Sequence, residues 1–141
     1  MSLLLRNGWI LTQNATRDVV RGDVLVEGGT IAAVGVVKGG ADEEMDCTDC
    51  AVLPGLINAH GHVANTLLRG RADDVPLEKM LEVAFEADGK LTRRDVQVGA
   101  LLGCIEMLKS GTTSFVDLFY WEDEVARAVR EAGIRGFLAW T

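Results

Sequence analysis

Two histidines are the clearest candidates for chemistry in this 141-residue chain. His60 and His62 are separated by Gly61, and they close the sequence Pro-Gly-Leu-Ile-Asn-Ala-His-Gly-His. Because side chains alternate along a β-strand, this spacing predicts that both imidazole rings lie on one face. Imidazole is a common ligand of zinc and iron, so the pair could supply half of a four-coordinate site. The alternative is two incidental histidines at the end of a strand.

The three cysteines do not predict a second site. Cys47 and Cys50 have a C-x-x-C spacing, but no further cysteine or histidine pair stands at the spacing of a zinc finger. We interpret both as structural residues beside an apolar segment, and Cys104 as a core residue of a helix. An odd and small number of cysteines also argues against a disulfide framework.

Charge and composition exclude several classes of protein. The chain carries 14 basic and 21 acidic residues, a net charge of −7, and no basic cluster, so we expect no nucleic-acid partner. A hydrophobic fraction of 48% can bury a core, which excludes a disordered chain. No apolar run approaches the roughly 18 residues of a membrane span, so we expect no membrane partner. The first residues lack the features of a signal peptide, and we therefore predict a cytoplasmic protein.

The first 53 residues predict a small β-rich segment without chemistry of its own. Asn7-Gly8 and Glu27-Gly28-Gly29-Thr30 each stand between short apolar runs and are typical of hairpin turns. The polar stretch from Lys38 to Asp46 predicts a solvated loop. We therefore expect a small antiparallel sheet.

From residue 54 onward the pattern changes to alternating strands and helices. Helices are predicted over Pro76–Ala87, Arg93–Ser110 and Glu122–Ala132, and strands over Val52–His62, over Thr112–Tyr120 and from Gly136 onward. The short connections after the helices favour parallel strands with right-handed crossovers. We interpret the acidic residues 122–124 as favourable negative charge at a helix N-terminus. Three such strands do not close a barrel.

The helix over residues 93–110 has the clearest signals. Thr92 is a natural N-cap, and Asp95 can complete a variant of the capping box. One apolar stripe, expected to pack against neighbouring elements, consists of Val98, Leu101, Leu102, Ile105 and Leu108. Gly99 and Gly103 lie inside this helix, so we reject a phosphate-binding loop there.

These motifs together resemble the amidohydrolase superfamily. The resemblance rests first on the Pro-Gly-Leu-Ile-Asn-x-His-x-His pattern of residues 54–62, which follows a small β-rich region. Further matching stretches are Thr66–Gly70, Asp73-Asp74, Gly111–Thr113 and Phe115–Asp117. They are similar to the branch that contains cytosine, guanine and S-adenosylhomocysteine deaminases and triazine chlorohydrolases. The nearest pattern is that of deaminases of the 5-methylthioadenosine/S-adenosylhomocysteine type.

The resemblance implies an α/β fold in two incomplete parts. Residues 54–141 would be the N-terminal part of a metal-dependent (β/α)8 barrel, preceded by a small β-sandwich segment over residues 1–53. His60 and His62 would bind one divalent metal ion at the end of the first barrel strand. Zinc is the expected ion and iron the alternative, because both accept the same ligand types.

The activity implied is hydrolytic deamination of an amino-substituted heteroaromatic ring, such as that of an adenosine-type nucleoside, by a water molecule that the metal activates. The substrate would thus be a small heterocyclic molecule. An alternative within the same branch is a chlorohydrolase or aminohydrolase of triazine-like rings.

Part of the family's catalytic set has no counterpart in this chain. Two further histidines, a catalytic glutamate and an aspartate ligand normally come from later strands, and no histidine follows His62. We expect the general acid/base glutamate to lie beyond Thr141, with the rest of the barrel in the same gene product or another chain. The 141 residues alone are then expected to be inactive and not a self-sufficient fold. Because family members are often dimers or tetramers, a homo-oligomer is possible.

Two other classes of protein stay open. One is a truncated, catalytically inactive module that binds metal weakly or only pairs with another chain. The other is a small doubly wound α/β binding domain with an incidental His-x-His. The β-rich first fifty or so residues and the lack of a glycine-rich phosphate loop count against the second.

Three polar residues are candidates for substrate contacts. Asp88 stands where relatives that bind a ribose often have a glutamate before a Leu-Thr pair, and its side chain is one methylene shorter. Arg69 either contacts substrate or pairs with Asp73 or Asp74. Asp117, near the end of the second barrel strand that the resemblance implies, either faces the site or orders the loop that follows the strand.

Overall fold

The structure is a computed structural model, and it describes residues 1–140. The chain divides into two compact units, Met1–Pro54 and Gly55–Thr141. The first unit has five strands: β1 Ser2–Leu11, β2 Val19–Glu27, β3 Thr30–Gly35, β4 Glu43–Asp46 and β5 Ala51–Val52. They form a mixed sheet in the order β3-β2-β1-β4, in which β1 also pairs with β5.

A bulge interrupts β1 where a hairpin turn is predicted. The pairing with β2 shifts register between Leu5 and Gly8, and Asn7 has a φ of 63°. Asparagine tolerates this left-handed conformation, and the Asn7 N–H donates to Asp23 Oδ1 at 3.0 Å. A Cβ on Gly8 would lie only 2.7 Å from Val52 Cγ2. The predicted turn at Asn7-Gly8 is therefore wrong, and the chain continues as one strand.

The predicted loop holds for residues 38–42 but is wrong for residues 43–46, and the predicted antiparallel sheet is in fact mixed. Glu43–Asp46 forms β4, which runs parallel to β1, as β5 does. All four residues of β4 are exposed, so this edge strand lacks the apolar alternation by which strands are recognised. The predicted hairpin between β2 and β3 is confirmed, since the two strands pair antiparallel and Gly28 and Gly29 have φ values of 57° and 82°.

The second unit contains the predicted alternation of strands and helices. Its elements are β6 Leu56–Gly61, a 3-10 helix Val63–Leu68, α1 Leu77–Asp88, α2 Arg93–Lys109, β7 Thr112–Phe119, α3 Glu122–Ala132 and β8 Arg135–Trp140. The three strands are parallel in the order β6-β7-β8, which confirms the predicted parallel arrangement. Phe115 and Phe119 of β7 pack in a core with Cys104, Val125 and Ala128 of α2 and α3.

Helix α2 begins as predicted but is most buried on a different face. Thr92 and Asp95 form the capping box. The buried residues are mostly small: Val96, Gly99, Ala100, Gly103 and Cys104. Four residues of the predicted apolar stripe, Val98, Leu102, Ile105 and Leu108, are 40–45% exposed. The stripe is thus only partly covered by the described residues, and its full packing stays a prediction.

Close packing of α2 against the 3-10 helix explains why α2 buries the face that carries its small residues. A Cβ on Gly99 would collide with the Ala64 carbonyl oxygen, and a Cβ on Gly103 would lie 2.5 Å from Val63 Cγ2. Thr66 Oγ1 also donates to the Gly99 carbonyl oxygen at 2.7 Å. Glycine thus lets α2 approach the segment that directly follows His62. None of the helices described combines the length and hydropathy that a membrane crossing needs.

Candidate metal centre at the end of strand β6

His60 and His62 lie together where β6 passes into the 3-10 helix. Their ring centroids are 5.1 Å apart with an interplanar angle of 86°, and both residues are exposed. The pairing of β6 with β7 shifts register between Asn58 and Gly61, so the strand is not regular at this point. Asn58 Oδ1 accepts a hydrogen bond from the His60 N–H at 3.2 Å. The two imidazoles are therefore close enough to face one ligand.

The neighbouring strand orients the His62 ring. His62 Nδ1 lies 2.8 Å from the carbonyl oxygen of Leu118 in β7. A carbonyl can only accept, so Nδ1 is the donor, and in the neutral imidazole the lone pair is then on Nε2. Metal-binding histidines typically make such a hydrogen bond through their second ring nitrogen. The arrangement leaves Nε2 of His62 available to a metal ion.

The two histidines fit part of a metal site rather than a whole one. Within residues 1–140, no group of three or more His, Cys, Asp or Glu residues is placed to hold a metal ion. A catalytic zinc ion normally has three protein ligands and an open position. The nitrogen donors suit zinc or iron, but a complete site needs at least one ligand besides His60 and His62.

Asp117 orders the turn that follows His62. The side chain is wholly buried, and Oδ1 accepts a hydrogen bond from the Val63 N–H at 2.8 Å. The alternation along β7 places Asp117 on the same face as Phe115 and Phe119, toward α2 and α3. Burial raises the pKa of Asp117, while the hydrogen bond from Val63 opposes this rise. This geometry favours the loop-ordering alternative over a substrate contact.

Arg69 has a partner that the sequence did not indicate. Its guanidinium donates to both carboxylate oxygens of Glu106 in α2, at 2.9 and 2.6 Å. The partner is thus Glu106 rather than Asp73 or Asp74, and the predicted pairing is wrong. The ion pair connects the end of the 3-10 helix to α2. Arg69 also lines a cavity of about 410 Å³ that His62 borders.

Asp88 shares a second cavity with His62. This cavity, of about 240 Å³, has mostly apolar walls that include Met80, Phe85 and Tyr120. Asp88 Oδ1 is buried and lacks a hydrogen-bond partner among the described residues, and burial raises the pKa of this carboxyl group. The structure therefore brings Asp88 to the same edge as His62.

Two contributors to this region were not apparent from the sequence. Asn65 lines both cavities, and its N–H donates to the His62 carbonyl oxygen at 2.9 Å. Leu118 contributes only a backbone oxygen, which every residue possesses. For Asn65, the only sequence feature that could have indicated a role is that it is polar and lies three positions after a candidate ligand. Nothing in the sequence could have indicated the role of the Leu118 carbonyl, because it does not depend on the side chain.

Fold and site together define an α/β protein with candidate metal ligands at the C-terminal edge of a parallel sheet. The chain belongs to the amidohydrolase family, whose model matches residues 51–141. It is 42% identical over 140 residues to a 5'-deoxyadenosine deaminase of Methanosarcina mazei, covering 97% of this chain and 32% of that protein. It is 44% identical over 140 residues to a 5-methylthioadenosine/S-adenosylhomocysteine deaminase of Pyrococcus furiosus, covering 98% and 33%.

Solved structures show the same fold. An adenosine deaminase from Xanthomonas campestris with bound zinc superposes with a TM-score of 0.88 at 30% identity, covering 96% of this chain and 33% of that one. Atrazine chlorohydrolase from Arthrobacter aurescens in complex with zinc gives a TM-score of 0.88 at 24% identity, covering 98% and 35%. The chain spans about a third of the length of the curated relatives it matches.

Proposed function

We propose that this chain is the N-terminal third of a metal-dependent hydrolase that deaminates an amino-substituted heteroaromatic ring, with adenosine-type nucleosides as its substrate class. One observation carries the proposal: the imidazole rings of His60 and His62 lie 5.1 Å apart, and a backbone carbonyl holds Nδ1 of His62, so that Nε2 is the nitrogen that would bind a metal ion. The names of the two deaminases at 42% and 44% identity support the substrate class. We further propose that β6–β8 are the first strands of a (β/α)8 barrel and that β1–β5 belong to a flanking β-sandwich.

The proposed roles follow from the geometry. His62 would bind a divalent ion through Nε2, and the adjacent imidazole of His60 would be a second ligand. The ion, zinc with iron as the alternative, would supply Lewis-acid activation of a water molecule. The Leu118 carbonyl holds the ring of His62, and Asp117 holds the peptide that follows it. Both contacts pre-organise a ligand before any ion binds.

Substrate recognition is proposed for the cavity between α1 and β7. Its apolar side chains would pack against a purine ring or an apolar substituent. A hydroxyl of the sugar would supply the hydrogen-bond donor that Asp88 Oδ1 lacks. Arg69, already held by Glu106, would border the neighbouring cavity.

The remaining ligands and the general acid/base are proposed to come from residues outside these 141, in the same polypeptide or in a partner chain. A cytoplasmic location and a homo-oligomeric state stay predictions. The chlorohydrolase alternative is supported by a shared fold alone and ranks second.

Ammonia release by the full-length protein, the whole polypeptide of which these residues form part, tests the proposal. We expect turnover of 5'-deoxyadenosine, 5-methylthioadenosine or S-adenosylhomocysteine, and its loss in the double variant His60→Ala/His62→Ala. Lys79→Ala, at an exposed position of α1, is the matched control that should leave turnover unchanged. Reaction of chlorinated triazines alone would favour the second candidate, and undiminished activity of the double variant would refute the mechanism.

A further inference from the structure

Two carboxyl groups are buried together beside the candidate metal centre. Asp117 has no exposed surface, and Glu122, the first residue of α3, is 3% exposed. Among the described residues, no side-chain donor reaches Asp117 Oδ2 or the carboxyl oxygens of Glu122. The backbone N–H groups of Leu118 and Phe119 lower the pKa of Asp117 and of Glu122, respectively, but less than burial raises it. Two adjacent carboxylates without a cation are strongly unfavourable in a protein interior.

A single proton shared by the carboxyl groups of Asp117 and Glu122 removes the repulsion between two buried negative charges. Burial, and then the neighbouring Asp117, raise the pKa of Glu122 to about 7. A protonated Glu122 has an O–H that can donate to Asp117 Oδ2, while Asp117 Oδ1 accepts from the Val63 N–H. His62 and Cys104 are the other titratable groups whose charge interacts with Asp117. The pair therefore connects the start of α3 to the residue after His62.

Asp123 and Glu124, the next two residues of α3, differ from Glu122 because both are paired with arginines. Asp123 bonds to Arg93, and Glu124 bonds to Arg93 at 2.8 Å and to Arg127 at 3.1 Å. These arginines compensate both charges. Favourable charge at a helix N-terminus, the role predicted for the whole acidic run, therefore suits Asp123 and Glu124 and does not explain why Glu122 is buried.

We infer that Glu122 is a positioning residue for the metal centre, donating a hydrogen bond to Asp117, which in turn fixes the peptide after His62. Two consecutive residues of β7 then hold His62: Leu118 through the imidazole ring and Asp117 through the Val63 N–H. Glu122 keeps Asp117 oriented without touching the ligand itself. The inference rests on the proposed function in one respect, that His62 binds a metal ion.

Infrared difference spectroscopy of the metal-free, full-length protein tests the shared proton. Below the pKa of Glu122, we expect the carbonyl stretch of a protonated carboxylic acid in the wild type and its loss in Glu122→Gln. Glu124→Gln is the matched control, because Glu124 is similarly buried in the same helix but paired with arginines. That variant should keep the band. A wild type without the band, or a Glu122→Gln variant that retains it, would overturn the inference whatever the metal content or activity.

The rate of zinc transfer to a chromophoric chelator tests the positioning role. Glu122→Ala should lose zinc several-fold faster than the wild type, up to about the 10-fold effect of a residue that bonds directly to a metal ligand. Glu122→Gln should stay close to the wild type, because its amide N–H can replace the donor. If Glu122→Ala does not fold, Glu122→Leu removes the donor at similar volume. Equal rates in all variants overturn the positioning role. A wild type that binds no zinc overturns both this role and the proposed function, and the infrared result then still decides the shared proton.

Discussion

A buried carboxyl group makes stability depend on pH within a definable window. The pKa of Glu122 is about 7 in the folded chain, against an ordinary value of 4.5. Between these two pH values the unfolded chain has released the proton that the folded chain retains. Stability therefore falls as pH rises through this window. Below it both states hold the proton, and above it both have released it.

Replacing Glu122 with glutamine should remove this part of the pH dependence. Between pH 4.5 and about 7 the wild type should lose roughly 2–3 kcal/mol of unfolding free energy through this group, and Glu122→Gln should not. Urea denaturation of the full-length protein at a series of pH values measures the difference. Glu124→Gln should keep the wild-type slope. An unchanged slope in Glu122→Gln would show that this carboxyl group is not protonated in the folded state.

At the residue scale, the sequence indicated the two candidate ligands but not the groups that hold them. The spacing of His60 and His62 sufficed to predict that the imidazoles lie together. The orientation of His62 depends on the carbonyl of Leu118, and backbone groups carry no sequence signal. Glu122 looked like an ordinary acidic residue at a helix N-terminus, because its burial depends on how α3 packs against β7.

At the scale of elements, the contact between α2 and the 3-10 helix supports the residue next to His62. Glycine at positions 99 and 103 allows this approach. Gly99→Ala should therefore lower the free energy of unfolding by about 1–3 kcal/mol, because the added methyl group must displace the Ala64 carbonyl. Denaturant unfolding of the full-length protein measures the change.

Gly89→Ala is the matched control for this prediction. Gly89 follows α1 with a φ of −62°, and a Cβ there would make only ordinary contact, 3.5 Å from the nearest atom. This variant should have nearly the wild-type stability. Equal stability of Gly99→Ala and Gly89→Ala would show that the close approach of α2 is not required.

The sequence predicted most elements of the second unit, because α2 has a capping box, α3 ends at Gly133, and β7 is apolar and β-branched. It did not indicate that α2 also buries a face of small residues, because these give a weak hydrophobic signal although they permit the closest approach. It missed β4 because an exposed polar edge strand has no apolar alternation. It mistook Asn7-Gly8 for a turn because a bulge and a hairpin favour the same residues.

At the scale of the whole molecule, several large apolar side chains of the second unit are exposed. Ile57 of β6 is 71% exposed, and Phe137 and Trp140 of β8 are 64% and 61% exposed. Among the described residues, β6 and β8 are the two outer strands of their sheet, and each has an edge that no other strand pairs with. In a barrel both edges would be paired and these side chains covered.

We therefore expect residues 1–141 expressed alone to be inactive and to associate or unfold rather than behave as a stable monomer. Two histidines supply too few ligands for a catalytic site, and the open sheet edges favour association. Sedimentation, thermal unfolding and an ammonia assay with added zinc measure these properties. A monomeric, cooperatively folding and active fragment would contradict this expectation.

The metal content of the full-length protein tests the central claim most directly. Wild-type protein and the His60→Ala/His62→Ala variant are equilibrated with zinc, freed of excess metal by gel filtration, and measured by inductively coupled plasma mass spectrometry. We predict about one zinc ion per wild-type chain, and nearly none in the double variant, whose circular dichroism should match the wild type. Equal zinc content in a correctly folded double variant would contradict the assignment of His60 and His62 as metal ligands.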